Sequence, residues 1–131
     1  MLNPQPVNRR TAFWIVNGLF AAAFALSVAV QLNDPDPWRW MAIYAAACAA
    51  CLLPVRVAWT RAVPPIVLVV AVAWSLTLVD ALPRLRIGEL FEEIEMKSID
   101  VERARECIGL LIVAAWMAVL SVRAWRAHRQ R

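Results

Sequence analysis

The sequence predicts an all-α integral membrane protein, a four-helix up-and-down bundle with a short amphipathic interfacial helix between spans three and four. Three observations lead there. Hydrophobic residues make up 62% of the 131 positions and mean hydropathy is +0.58, beyond the range of a usual soluble domain. Apolar runs approach the roughly 20 residues that one helical crossing of a bilayer needs. The charges between them are segregated rather than mixed. Four such spans consume over half the chain, so the expectation is a single four-span domain over residues 1–131.

The first span covers about Thr11 to Leu32, behind Arg9 and Arg10. Its apolar run is longer than the roughly 7–15 residues of a signal peptide, so it reads as a retained helix. Arg9-Arg10 reads as flanking charge, not as a twin-arginine signal. Asn33-Asp34-Pro35-Asp36-Pro37 then stops the helix, because each proline removes an amide donor and biases its predecessor away from helix. The second span runs from about Trp38 to the region of Val57, with Pro54 kinking or ending it. Pro64-Pro65 is expected to start the third span, which reaches about Leu82 before Pro83. From Arg84 to Arg105, Ile87, Leu90, Phe91 and Ile94 recur at helical spacing, predicting the interfacial helix. Its polar face is largely acidic (Glu89, Glu92, Glu93, Glu95), which suits docking on protein better than on anionic lipid. The fourth span covers about Cys107 to Val122 and leads into a basic tail.

Counting charge sets the expected orientation. One face carries Arg9, Arg10, Arg56, Arg61 and four tail arginines with no acid; the other carries all ten acids with six basic residues. The positive-inside rule then places both termini in the cytoplasm. It also accounts for the pI of 9.6 without nucleic acid. The Ala-, Val- and Arg-rich composition points to a bacterial inner membrane. Trp14, Trp38, Trp40, Trp59 and Trp125 fall at span ends as an aromatic belt would, whereas Trp74 and Trp116 lie mid-span and are expected to pack between helices.

Several chemistries lack their parts. The lone His128 sits in the tail, so this chain alone offers no paired-histidine haem ligation and no histidine-based triad. Only three glycines are present, and none forms a phosphate loop. Cys48 and Cys51 have a redox-like spacing, but inside an apolar run they read as small packing residues. Helical rise puts Cys107 about 10–15 Å from Cys48 in depth, beyond disulfide reach. Asn17, Ser27 and Gln31 are candidates for hydrogen bonds across helices. Asp80, near the end of span three, is the nearest thing to a charged residue within a span.

What could hold chemistry is a polar cluster of Gln31, Asn33, Asp34 and Asp36 with Glu102, Arg103, Arg105 and Glu106, all expected on one side of the membrane. Glu102 and Glu106 lie four apart on one helical face and repel mildly, so arginine, a proton or a metal must offset them. In the structural reading Asp34 or Asp36 caps span two and pairs with Arg103 or Arg105, with Arg105 as the central cation. In the metal reading Asn33, Asp34, Asp36, Glu102 and Glu106 are oxygen ligands suited to calcium or magnesium.

The runs Asn17-Gly18-Leu19-Phe20 and Val30-Gln31-Leu32-Asn33-Asp34-Pro35-Asp36, then Trp40 and Tyr44, resemble the transmembrane protein 220 family. Glu102, Arg105-Glu106, Gly109-Leu110 and Trp116 extend the resemblance into span four, while Pro37 and the following Trp38-Arg39 depart from it. The resemblance implies a small polytopic membrane protein and no particular activity. The expectation from the residues is a non-enzymatic scaffold or accessory subunit, with membrane lipid and other membrane protein subunits as partners. The alternative is a membrane enzyme, divalent-cation-binding or solute-handling protein that uses the acidic cluster.

Overall fold

The computed structural model describes residues 8–84 and 99–130, which are helical apart from short connections and contain no strand. Among these described residues four α-helices run in order: α1 (Arg9–Val30), α2 (Pro37–Leu52), α3 (Ala58–Leu76) and α4 (Ile99–Arg129). A single 3-10 turn, Gln31–Asn33, follows α1, and a longer one, Val79–Arg84, follows α3. The chain divides into two compact units, Met1–Pro54 and Val55–Arg131, each a helical hairpin. Most of the segment expected to form the acidic interfacial helix lies outside the described residues.

In the first hairpin, α1 starts at the Asn8 N-cap, whose side chain accepts from the Arg10 amide at 3.1 Å. Its buried positions, Asn17, Ala21 and Phe24, recur at four- and three-residue spacing. They form one stripe on a helix that is otherwise apolar outside as well: Leu19 and Leu26 are 65% and 66% exposed. In water such exposure would be costly; in lipid it costs nothing. Pro37 at the first position of α2 needs no amide partner, which suits a helix start. Asp36 occupies the N-cap position but its side chain makes no cap hydrogen bond. The expected carboxylate cap is therefore not made by Asp36. Asp34 instead turns back locally, its Oδ1 accepting from the Asp36 amide at 3.3 Å.

The helix α2 ends at Leu52, just ahead of Pro54, whose missing amide leaves the i−4 carbonyl without its helical donor. Its buried face (Trp40, Ile43, Tyr44, Ala47, Ala50, Cys51) packs along α1. Trp40, expected in an interfacial belt, is 8% exposed and belongs to this core, while Trp14, Trp38, Trp59 and Trp125 are all exposed.

The second hairpin pairs α3 with α4. Thr60, Pro64, Val67, Ala71 and Ser75 form the buried stripe of α3. On α4, Cys107, Leu110, Val113 and Met117 are fully buried, flanked by Ala104, Ala114 and Ala124. Small residues let two helices approach closely where lipid supplies no hydrophobic drive. The helix α3 begins at Ala58, so Pro64 and Pro65 lie within it rather than starting it as the sequence suggested. Each withholds one backbone donor, a defect that membrane helices tolerate when neighbouring groups re-satisfy the backbone. The helix α4 has 31 residues and incorporates Glu102, Arg103, Arg105 and Glu106 in its first turns.

Among the described residues three helical segments are long and apolar enough to cross a membrane: Arg9–Asn33, Ala58–Leu76 and Val101–Arg129. The helix α2 has 16 residues, about 24 Å of rise against a hydrocarbon core of about 30 Å.

Candidate functional site

Three groups of polar side chains stand out in the two hairpins, and each can be built from its helix. The first lies inside the first hairpin. Asn17 is 4% exposed, and its amide Nδ2 donates to the Cys51 carbonyl at 2.8 Å. Cys51 is in the last turn of α2, where carbonyls run out of helical donors, so a side-chain amide from α1 supplies one. One turn along, the Cys48 thiol approaches the Ala21 carbonyl at 3.4 Å, a weak second bond in the same antiparallel register. Cys48, Cys51 and Cys107 are free thiols. Ser27 bonds back to the Ala23 carbonyl of its own helix at 2.9 Å.

The second group sits where α3 ends. Arg103 of α4 donates from Nη2 to the Thr77 carbonyl at 3.0 Å and to Asp80 Oδ1 at 3.1 Å. Thr77 is the C-cap of α3, so the guanidinium caps that helix from outside and neutralises the acid beside it. The pair is wet, with side chains 34% and 59% exposed. Within its hairpin Arg103 thus has Asp80 as an acid partner, a pairing the sequence reading did not name. One turn deeper on α4, the Cys107 thiol lies 3.6 Å from the Ser75 carbonyl.

The third group is at the other end of the same hairpin. Arg61 Nη1 meets His128 Nδ1 at 3.2 Å. Arg61, Pro65, Ser121, Ala124, Trp125 and His128 line an open cleft of roughly 440 Å³. Sequence reasoning counted Arg61 as flanking charge and His128 as tail. Only the antiparallel pairing of α3 with α4 brings them together, and nothing in residue spacing announces it.

The expected cluster is divided between the units. Gln31, Asn33, Asp34 and Asp36 belong to the first, where the Gln31 carbonyl accepts the Asp34 amide at 2.9 Å. Glu102, Arg105 and Glu106 belong to the second, with Glu102 and Arg105 exposed on α4 and Glu106 half-buried. Among the described residues no three His, Cys, Asp or Glu side chains gather as metal ligands would.

Comparison with known families agrees with this helical architecture. The model of Transmembrane family 220, helix, matches residues 23–122, from within α1 to within α4. The chain belongs to this family. It is an integral membrane protein, and its family membership accounts for the outward-facing apolar side chains of α1, α3 and α4. No solved structure matches the chain.

Proposed function

We propose that this member of the family is a four-span, non-enzymatic accessory or scaffold subunit of a membrane complex, with both termini in the cytoplasm of a bacterial cell and its helices packed against other membrane proteins. One observation carries the reading: the polar groups within the helices serve backbone satisfaction. Ser27, Thr60, Ser75, Thr77 and Ser121 each bond a carbonyl three or four residues back, and Asn17 bonds one on the neighbouring helix. Among the described residues no buried side-chain nitrogen or oxygen lacks a hydrogen-bond partner. A catalytic or solute-handling site inside the helices would hold buried polar groups in reserve for a substrate; the buried polar groups of the described residues bond their own fold.

The pairing of α2 with α1 supports a fourth crossing. Cys48 meets Ala21 and Cys51 meets Asn17, so α2 runs back to within about 12 Å of the start of α1, at 1.5 Å per residue. A short span is accommodated by local bilayer thinning and by the residues beyond its end.

Purification in a gentle detergent followed by native mass spectrometry tests the accessory role. The expected result is a stoichiometric membrane protein partner retained with the chain. A stable monomer that carries no other protein counts against it.

A further inference from the structure

We propose that the cleft between the start of α3 and the end of α4 binds the phosphate headgroup of an anionic phospholipid. Four features of the second hairpin converge on that ligand. The first is charge. Arg61 and His128 line the cleft, and Arg129 lies over the Trp125 ring at its wall, 4.0 Å from the ring centre. No acid occurs from Pro37 through Val79 or from Cys107 to the end of the sequence, so the stretches that build this end of the hairpin supply no counter-ion.

The second is donor capacity. The Arg61 guanidinium carries five N–H donors, and among the described residues its side-chain hydrogen bond is to His128. Arginine cannot accept, so that bond requires a lone pair on His128 Nδ1 and places the ring proton on Nε2. The other N–H groups of the Arg61 guanidinium, held in place by His128, make a fork suited to two oxygens of one phosphate. The third is shape: an open cleft of roughly 440 Å³ falls in the range of small-ligand sites, and Pro65, Ala124 and the Trp125 ring give it an apolar wall. A headgroup followed by acyl chains needs that combination, whereas free phosphate gains nothing from the apolar wall.

The fourth is depth. Arg61 is the fourth residue of α3 and His128 is one residue from the end of α4, so both stand where the spans leave the hydrocarbon. Trp59 and Trp125, 63% and 54% exposed, mark the same level as interfacial anchors. A lipid phosphate occupies that level in every bilayer.

The test uses the full-length protein in detergent micelles doped with phosphatidylglycerol or phosphatidylcholine, with lipid adducts counted by native mass spectrometry. Wild-type protein is expected to retain phosphatidylglycerol about tenfold better than phosphatidylcholine, the effect of one good charge-assisted hydrogen bond. Arg61→Gln and His128→Gln, both at helix ends, should each remove most of that preference while circular dichroism stays unchanged. Arg126→Gln removes the same charge from an exposed position of α4 that does not line the cleft, and should leave the preference intact. Equal loss with Arg126→Gln would overturn the site in favour of diffuse attraction to the basic tail. Displacement of the lipid by millimolar inorganic phosphate would overturn the lipid assignment, and unchanged retention in Arg61→Gln and His128→Gln would overturn both.

Discussion

Replacing Asn17 with Leu, which has similar volume, removes the Nδ2 donor and leaves the packing of Ala21 and Phe24 in place. The bond lost is 2.8 Å long and buried, and it joins α1 to the end of α2. Hydrogen bonds between membrane helices contribute about 0.6 kcal/mol on average and up to about 1.7. This one serves a carbonyl at a helix end, where helical donors have run out, so the upper part of the range applies. If no other donor reaches the Cys51 carbonyl the cost rises toward about 1–3 kcal/mol. The expected destabilisation is about 1.5 kcal/mol, roughly a tenfold fall in the folded-to-unfolded ratio. Reversible unfolding of the purified protein in mixed micelles of increasing dodecyl sulfate fraction reads this directly. Asn17→Leu unfolding at the wild-type midpoint or above it, with helix content preserved, would refute the claim that Asn17 holds the hairpin together.

Three further outcomes are expected. Gly18→Ala should be neutral or stabilising by up to about 1 kcal/mol in the same assay, since a Cβ there meets nothing within 4 Å. Met117→Ala should cost about 2 kcal/mol, because a fully buried side chain leaves a cavity, whereas Ile112→Ala, 49% exposed, should change little in a lipid-like solvent. Arg103→Ala should cost no more than about 1 kcal/mol, because its partner is a wet acid, and Asp80→Asn should recover nothing further once Arg103 is gone; a double-mutant cycle measures this.

Much of the fold was legible where the chemistry is one-dimensional. Length, hydropathy and the Asn-Asp-Pro-Asp-Pro break place α1 and the start of α2 within two residues of the expected positions. A lone amide inside an apolar run signalled an interhelical bond, and Asn17 makes one. Legibility failed where lipid removes the usual contrast between inside and outside. With apolar residues on every face, periodicity does not say which side of a helix is buried, so Trp40 looked interfacial and is core. The Pro64-Pro65 pair looked like a helix start because water-soluble helices seldom carry proline inside; α3 begins six residues earlier. The pairings Arg103 with Asp80 and Arg61 with His128 depend on the register of α3 against α4, which no local spacing encodes.

The central claim is a four-span protein with both termini on the cytoplasmic side, and cysteine accessibility tests it most directly. In a background with Cys48, Cys51 and Cys107 replaced by Ser, single cysteines are placed by Asn8→Cys, Gly88→Cys and Gln130→Cys. A membrane-impermeant maleimide applied to intact cells should label the protein through position 88 alone, with positions 8 and 130 reacting only after lysis. Three crossings, with α2 failing to span, would put positions 8 and 130 on opposite sides, and labelling of one of them in intact cells would contradict the account.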